Sequence, residues 1–128
     1  MKRILIVDDA ATVRLYHRKI LESACFAVEE AVNGIEALEK TLRAPFDLYI
    51  VDVNMSKLDG YGLLKDLRSR GMPQAPAIMV SAEASAKDRI RAFIAGANLY
   101  LLKPVKPAQL LSHACLLLGE IYIGKVRP

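Results

Sequence analysis

Arg3-Ile4-Leu5-Ile6-Val7-Asp8-Asp9 is the stretch from which the fold can be worked out. Its apolar run is too short for a helix and stops abruptly at two carboxylates, as a buried strand does where it emerges at a sheet edge. Two further runs repeat the form. Leu48–Val51 closes on Asp52, and Ala77–Val80 leads into Ser81. Strands that are apolar at nearly every position are what a parallel sheet covered on both faces requires. Two weaker segments, Ala27–Ala31 and Leu99–Leu102, complete five strands, the last running into Lys103-Pro104.

Helical patterns fill the gaps. Val13, Tyr16, Ile20, Leu21 and Ala24 form one stripe, with Arg14, Arg18, Lys19 and Glu22 outside it. Asn33-Gly34 marks a turn, and Ile35–Arg43 is expected to face Leu38 and Leu42 inward before Ala44-Pro45 breaks it. After the Asn54–Gly60 loop, Tyr61–Arg70 forms a helix stopped by Gly71-Met72-Pro73. Ala86–Ala95 is expected to turn Ile90, Phe93 and Ile94 inward and to end at Gly96. Pro107 suits the first turn of a last helix that runs to about Leu118.

Five strands alternating with five helices imply right-handed crossovers and a doubly wound α/β sheet with helices on both faces. The expected organisation is one domain over residues 1–118. The tail, 119–128, extends the last helix, docks as an added element or begins a linker.

Bulk properties narrow the function classes. A chain of 128 residues, 53% hydrophobic and 25% charged, has the size and balance of one globular domain. No apolar run nears the ~18 residues that span a bilayer. The N-terminal apolar run is too short for a signal peptide, so a cytoplasmic protein with no membrane partner is expected. Cys25 and Cys115 read as buried core thiols, and His17 and His113 are too isolated to build a zinc site. Net charge is +4, and its basic clusters read as solvated helix faces; direct nucleic-acid binding is not expected.

Ligands of an open parallel sheet bind beyond the carboxyl ends of its strands. Those ends bring Asp8, Asp9, Asp52, Ser81 and Lys103 to one edge. Three close carboxylates repel unless a cation neutralises them. A hard divalent ion, Mg²⁺, is the natural remedy, with the Lys103 ammonium as a second positive charge. A phosphoryl group on Asp52 would give each of these groups a part to play. Cation and lysine would balance its oxygens, and Ser81 would hydrogen-bond one of them. Capping of the first helix by Asp8 or Asp9 is the simpler alternative.

These residues resemble the receiver domain of bacterial two-component response regulators over nearly the whole chain. The matching motifs are Asp8-Asp9, Asp52 with Asn54-Met55 and Asp59-Gly60, Ser81-Ala82, and Lys103-Pro104. Asn54 and Glu83, at the two variable positions beside the acceptor, make the chain most similar to single-domain chemotaxis-type regulators. The resemblance implies a flavodoxin-like strand order, 2-1-3-4-5. It implies that Asp52 takes a phosphoryl group from a sensor histidine kinase or phosphotransfer protein. Asp9, Asp52 and the Asn54 backbone carbonyl would bind Mg²⁺, with Asp8 acting through water. Ser81 and Lys103 would engage the phosphoryl group, and Tyr100 would be the switch aromatic. Lys103-Pro104 would be a cis peptide.

The implied output is a changed surface over the fourth helix, fifth strand and fifth helix. It would control a protein partner or a homodimer, for which the surplus of leucines on the last helix offers an apolar patch. The chain is then no enzyme beyond its own phosphorylation and dephosphorylation. Two departures stand out: Ser56 replaces a usual proline, and Val105 replaces a common aromatic, putting packing of the last helix in question. Two rival functions exist. A Mg²⁺-dependent small-molecule phosphatase would need a second acid/base, and Asn54 cannot titrate. A flavin binder would need a phosphate-cradling loop where Asp8-Asp9 would repel phosphate.

Overall fold

In the computed structural model of the chain, which describes residues 1–71 and 74–121, the five apolar runs lie side by side as a parallel sheet. The strands are β1 (Arg3–Val7), β2 (Ala27–Ala31), β3 (Leu48–Asp52), β4 (Ala77–Ser81) and β5 (Leu99–Leu102). The helices between and after them are α1 (Ala11–Ser23), α2 (Gly34–Arg43), α3 (Gly60–Ser69), α4 (Ala86–Ala95) and α5 (Pro107–Leu118). Strand order is β2-β1-β3-β4-β5, the expected flavodoxin-like winding. Met72-Pro73 of the expected helix stop, and the tail from residue 122, lie outside the described residues.

Alternation along each strand divides the core in two. Leu5, Val7, Tyr49, Val51, Ala77 and Met79 face α2, α3 and α4. Ile4, Ile6, Leu48, Ile50, Ile78 and Val80 face α1 and α5. Both faces are covered, so the central strands are apolar throughout. Register then aligns the strand ends: Val7 stands opposite Val51, Asp52 opposite Val80, and Ser81 opposite Leu102. Whatever follows these residues emerges at one edge.

Caps and breakers end the helices as their chemistry dictates. The Asn33, Asp59 and Ser85 side chains accept hydrogen bonds from the first turns of α2, α3 and α4. Gly96 and Gly119 close α4 and α5 in the left-handed conformation.

Six side chains expected to face inward do not: Tyr16, Leu42, Ile90, Phe93, Ile94 and Cys25. On α1 His17, Ile20 and Leu21 are buried, with Val13 and Ala24 half-buried on the same stripe, while Tyr16 lies at its exposed edge. His17 completes the i, i+4, i+7 spacing, and its polar character hides it in a hydrophobicity reading. On α2, Ala37 and Thr41 face the sheet with Leu38 partly buried, leaving Leu42 67% exposed at the helix end.

On α4, Ala92 and Ala95 face the core, so Ile90, Phe93 and Ile94 are 58%, 48% and 76% exposed. At about 100° per residue the two isoleucines lie some 200° around the axis from Ala92 and cannot share its face. Cys25, expected in the core, is exposed in the turn after α1 with a φ of +67°, whereas Cys115 is buried. Val105 is buried in the same cluster as Leu110 and Ala114, so the smaller side chain still packs against α5. Of the α5 leucines, Leu116 is the one left fully outward.

Candidate functional site

β1 ends on Val7 and delivers Asp8 and Asp9 to the sheet edge, beside Asp52 at the end of β3. One carboxylate oxygen from each of the three falls within 4.8 Å of the others. Asp8 and Asp52 are buried and Asp9 is exposed, so the cluster opens to solvent on the Asp9 side. Neither aspartate caps α1; the N-cap is Ala10, whose side chain makes no cap bond. Asp8 Oδ1 instead accepts from the Ala10 N–H at 2.9 Å, and its carbonyl accepts from Arg14 Nη1 at 2.7 Å.

Lys103, just past β5, reaches across to this cluster. Its Nζ lies 2.9 Å from Asp8 Oδ2 and 3.0 Å from Asp52 Oδ1. Its own N–H donates to the Ser81 carbonyl at 2.8 Å, tying the ends of β4 and β5 together. Lys103-Pro104 is cis, in accord with the resemblance.

Charge in the site is unbalanced, since one ammonium serves three carboxylates. Burial pushes the Asp52 carboxyl up; the Lys103 hydrogen bond pulls it back, and Asp8 and Asp9 raise it again. For Lys103, burial works against the charged form, but hydrogen bonds to Asp8 and Asp52 outweigh it and the net shift is upward. An all-oxygen donor set with surplus negative charge and an open side fits a hard divalent cation. These residues can therefore hold a metal ion.

Ser81, buried at the end of β4, accepts from the Glu83 N–H at 3.0 Å through its Oγ. The Glu83 carbonyl in turn accepts from the Tyr100 hydroxyl at 2.8 Å. Tyr100 lies inward, buried from β5, with the Arg89 guanidinium 5.2 Å from its ring centroid. One residue's backbone, that of Glu83, thus joins the hydroxyl beside the acidic cluster to the aromatic ring near α4. Sequence motifs place Ser81, Glu83 and Tyr100 near one another; the bonding through the Glu83 backbone shows only in three dimensions.

Asn54 is exposed just beyond Asp52. The loop that follows carries Ser56, then two left-handed residues, Lys57 at φ 49° and Leu58 at φ 78°. Leu58 O accepts from Gly34 N at 3.3 Å, so the loop leans on the start of α2. Gly60 N donates to Val53 O at 3.0 Å, and a Cβ there would collide with the Asp52 carbonyl.

His17, which its sequence context does not mark as a site residue, lies under this edge with 2% exposure and no hydrogen-bond partner for Nδ1. Its i+4 spacing from Val13 is the signal that places it inward.

Comparison with known proteins agrees with this geometry. The family model for the response regulator receiver domain matches residues 4–114. The transcriptional regulatory protein ResD of Bacillus subtilis (strain 168) is 36% identical over 107 residues, 84% of this chain and 44% of that protein. A gliding motility regulatory protein of Myxococcus xanthus is 36% identical over 113 residues, 88% of this chain and 14% of that protein. The chain thus spans less than half the length of these relatives. Among solved structures, the chemotaxis protein CheY4 of Vibrio cholerae superimposes with a TM-score of 0.86 at 33% identity, covering 91% of this chain and 98% of that one. A putative response regulator of Chloroflexus aurantiacus gives 0.89 at 34% identity, covering 93% and 98%. Because the family match runs from β1 into α5, the chain belongs to the response regulator receiver domain family, the signalling switches of two-component systems.

Proposed function

We propose that Asp52 is the phosphoryl acceptor of this receiver, loaded by a phosphohistidine on a sensor histidine kinase or phosphotransfer protein in a Mg²⁺-dependent reaction. The single observation that carries this reading is Lys103 Nζ at 3.0 Å from Asp52 Oδ1, inside a cluster with Asp8 and Asp9.

An Asp52 oxygen forms a bond to phosphorus while the phosphorus–nitrogen bond of the donor breaks and the imidazole leaves. Asp9, Asp52 and the Asn54 backbone carbonyl would hold Mg²⁺, with Asp8 acting through water. When bound, the ion supplies positive charge to the phosphoryl oxygens. Lys103 supplies the protein's own share from a position already fixed by Asp8, so little reorganisation is needed. The Ser81 hydroxyl is the donor for a phosphoryl oxygen. Turning toward it breaks its bond to Glu83 N–H, and that break is passed to Tyr100 through the Glu83 carbonyl. The α4-β5-α5 face changes as a result, and a protein partner reads it.

The reading makes the chain a cytoplasmic switch without nucleic-acid or membrane contact of its own. In the structure, no helix among the described residues is long and apolar enough to cross a membrane. A phosphatase has less support: Asn54 cannot titrate, and Lys103 is engaged by two carboxylates. The test is incubation with Mg²⁺ and acetyl phosphate followed by intact-mass measurement. One added phosphoryl group is expected on the wild type and none on Asp52→Asn or without Mg²⁺. Labelling that survives in Asp52→Asn refutes the assignment.

A further inference from the structure

We infer that the cavity between α1 and the loop after β5 binds a small neutral aromatic molecule that carries a hydroxyl group. The cavity holds about 310 Å³ and is lined by Val13, Tyr16, His17, Lys103, Pro104 and Val105. Apolar cavities of ~150 Å³ already hold benzene, so this one has room for a substituted ring. The Tyr16 hydroxyl donates to the Val105 carbonyl at 3.1 Å, which ties the helix wall to the loop wall. The site goes beyond the acceptor reading and does not depend on it. Lys103 turns its ammonium to Asp8 and Asp52 and offers the cavity its aliphatic stem.

His17 decides what kind of occupant fits. The residue is 2% exposed and lines this cavity, and its Nδ1 has no hydrogen-bond partner. Among the described residues no other buried side-chain nitrogen or oxygen is in that state. Buried polar atoms are nearly always paired, and an unpaired one carries a penalty that an incoming hydroxyl relieves. Burial disfavours the charged imidazole, so one ring nitrogen donates and the other accepts. A hydroxyl serves either of them. Beside it the Tyr16 ring stands 5.7 Å from that of His17, tilted by 46°, and gives an aromatic occupant an aromatic neighbour.

Other occupants fit less well. Water needs about two to four polar partners, and Val13, Pro104 and Val105 have side chains that neither donate nor accept. An apolar side chain from a partner protein would fill the space and leave Nδ1 unpaired. An anion would meet the surplus negative charge of Asp8, Asp9 and Asp52, and a cation would meet Lys103.

The probes are p-cresol and p-xylene, alike in shape, the second with a methyl in place of the hydroxyl. Each is titrated into protein labelled with ¹³C at the valine methyls and with ¹⁵N throughout. Saturable shifts of the Val13 and Val105 methyls are expected in the millimolar range, as suits ligands of this size. Only p-cresol is expected to move the His17 imidazole ¹⁵N resonances. His17→Leu should weaken p-cresol by about five- to tenfold, the size of one hydrogen bond, and leave p-xylene within about twofold. Val13→Phe keeps the imidazole and fills the cavity from α1, so it should abolish binding of both compounds. The wild-type imidazole shifts and Val13→Phe decide the matter even where His17→Leu does not fold. Non-saturating methyl shifts, unmoved imidazole resonances, equal effects of His17→Leu on the two compounds, or undiminished binding to Val13→Phe overturn the inference.

Discussion

Lys103 Nζ stands 3.0 Å from Asp52 Oδ1, held there by a second contact, 2.9 Å to Asp8 Oδ2. The lysine is shared, so Asp52 receives only part of its charge; in the proposed reading this leaves its carboxylate free to attack phosphorus instead of being locked in a closed ion pair. The arrangement makes Asp8 a positioning residue for Lys103 as well as part of the acidic cluster.

Replacing Lys103 by methionine keeps the length of the side chain and removes the ammonium. The rate of Asp52 labelling by acetyl phosphate should fall by about 100-fold, the lower end of what losing one pre-placed charge donor costs. Mg²⁺ binding should survive, because the carboxylates remain. Stopped-flow labelling against Mg²⁺ titration separates the two; an unchanged labelling rate would show that the metal carries all the charge.

The raised pKa of Asp52 has a consequence for stability. Its unfolded value is 3.8, and burial lifts the folded one. Between the two the folded state binds more protons, so this group's contribution to stability falls as pH rises through that window and stays unfavourable above it. Asp52→Asn should therefore raise the Tm in EDTA at neutral pH, by about 3–6 °C for each kcal/mol relieved. Saturating Mg²⁺ should stabilise the wild type more than the variant and narrow the gap. Thermal melts with and without Mg²⁺ check both parts, and a variant less stable than wild type in EDTA refutes the account.

Legibility in the sequence tracked how strongly a feature is tied to chain order. Apolar runs ending in Asp8, Asp52 and Ser81 reveal strands and sheet edge together, because a parallel sheet places every strand end on one side. Helix phase was harder. On α4 the apolar mass of Ile90, Phe93 and Ile94 outweighs Ala92 and Ala95 in any hydrophobicity sum, yet the small pair faces the core. On α1 a buried histidine took a place where the sequence invites a tyrosine. In both cases packing space, not hydrophobicity, decided the face. The link from Ser81 to Tyr100 was out of reach for another reason: it passes through the backbone of Glu83, whose side chain plays no part in it.

Gly60 is fixed by close approach rather than by backbone angle. A Cβ there would collide with the Asp52 carbonyl oxygen and come within 3.1 Å of Val53 Cα. Gly60→Ala should push the end of β3, costing about 1–3 kcal/mol as overpacking does. Because the displaced atom belongs to Asp52, labelling should slow even where the variant stays folded. Urea unfolding and acetyl phosphate labelling measure the two effects. Normal labelling in a destabilised variant would show that the acceptor tolerates the shift.

His17 offers the last test, since it is buried without a partner for Nδ1. Burial lowers its pKa first; the Lys103 charge acts the same way, and Asp8 opposes both. The unfolded chain takes up a proton near 6.5 that the folded protein resists, so stability rises with pH. The contribution is fully present above that value and is lost as pH falls from it toward the lowered folded pKa. His17→Leu, of similar volume, removes both the proton and the unpaired nitrogen. It should flatten stability between about pH 7.5 and 5.5 and add about 1 kcal/mol by ending the desolvation penalty. Urea melts across that range decide it. A slope equal to that of the wild type would mean that other groups carry the pH dependence, and a loss of stability would mean that the ring finds a partner in solution.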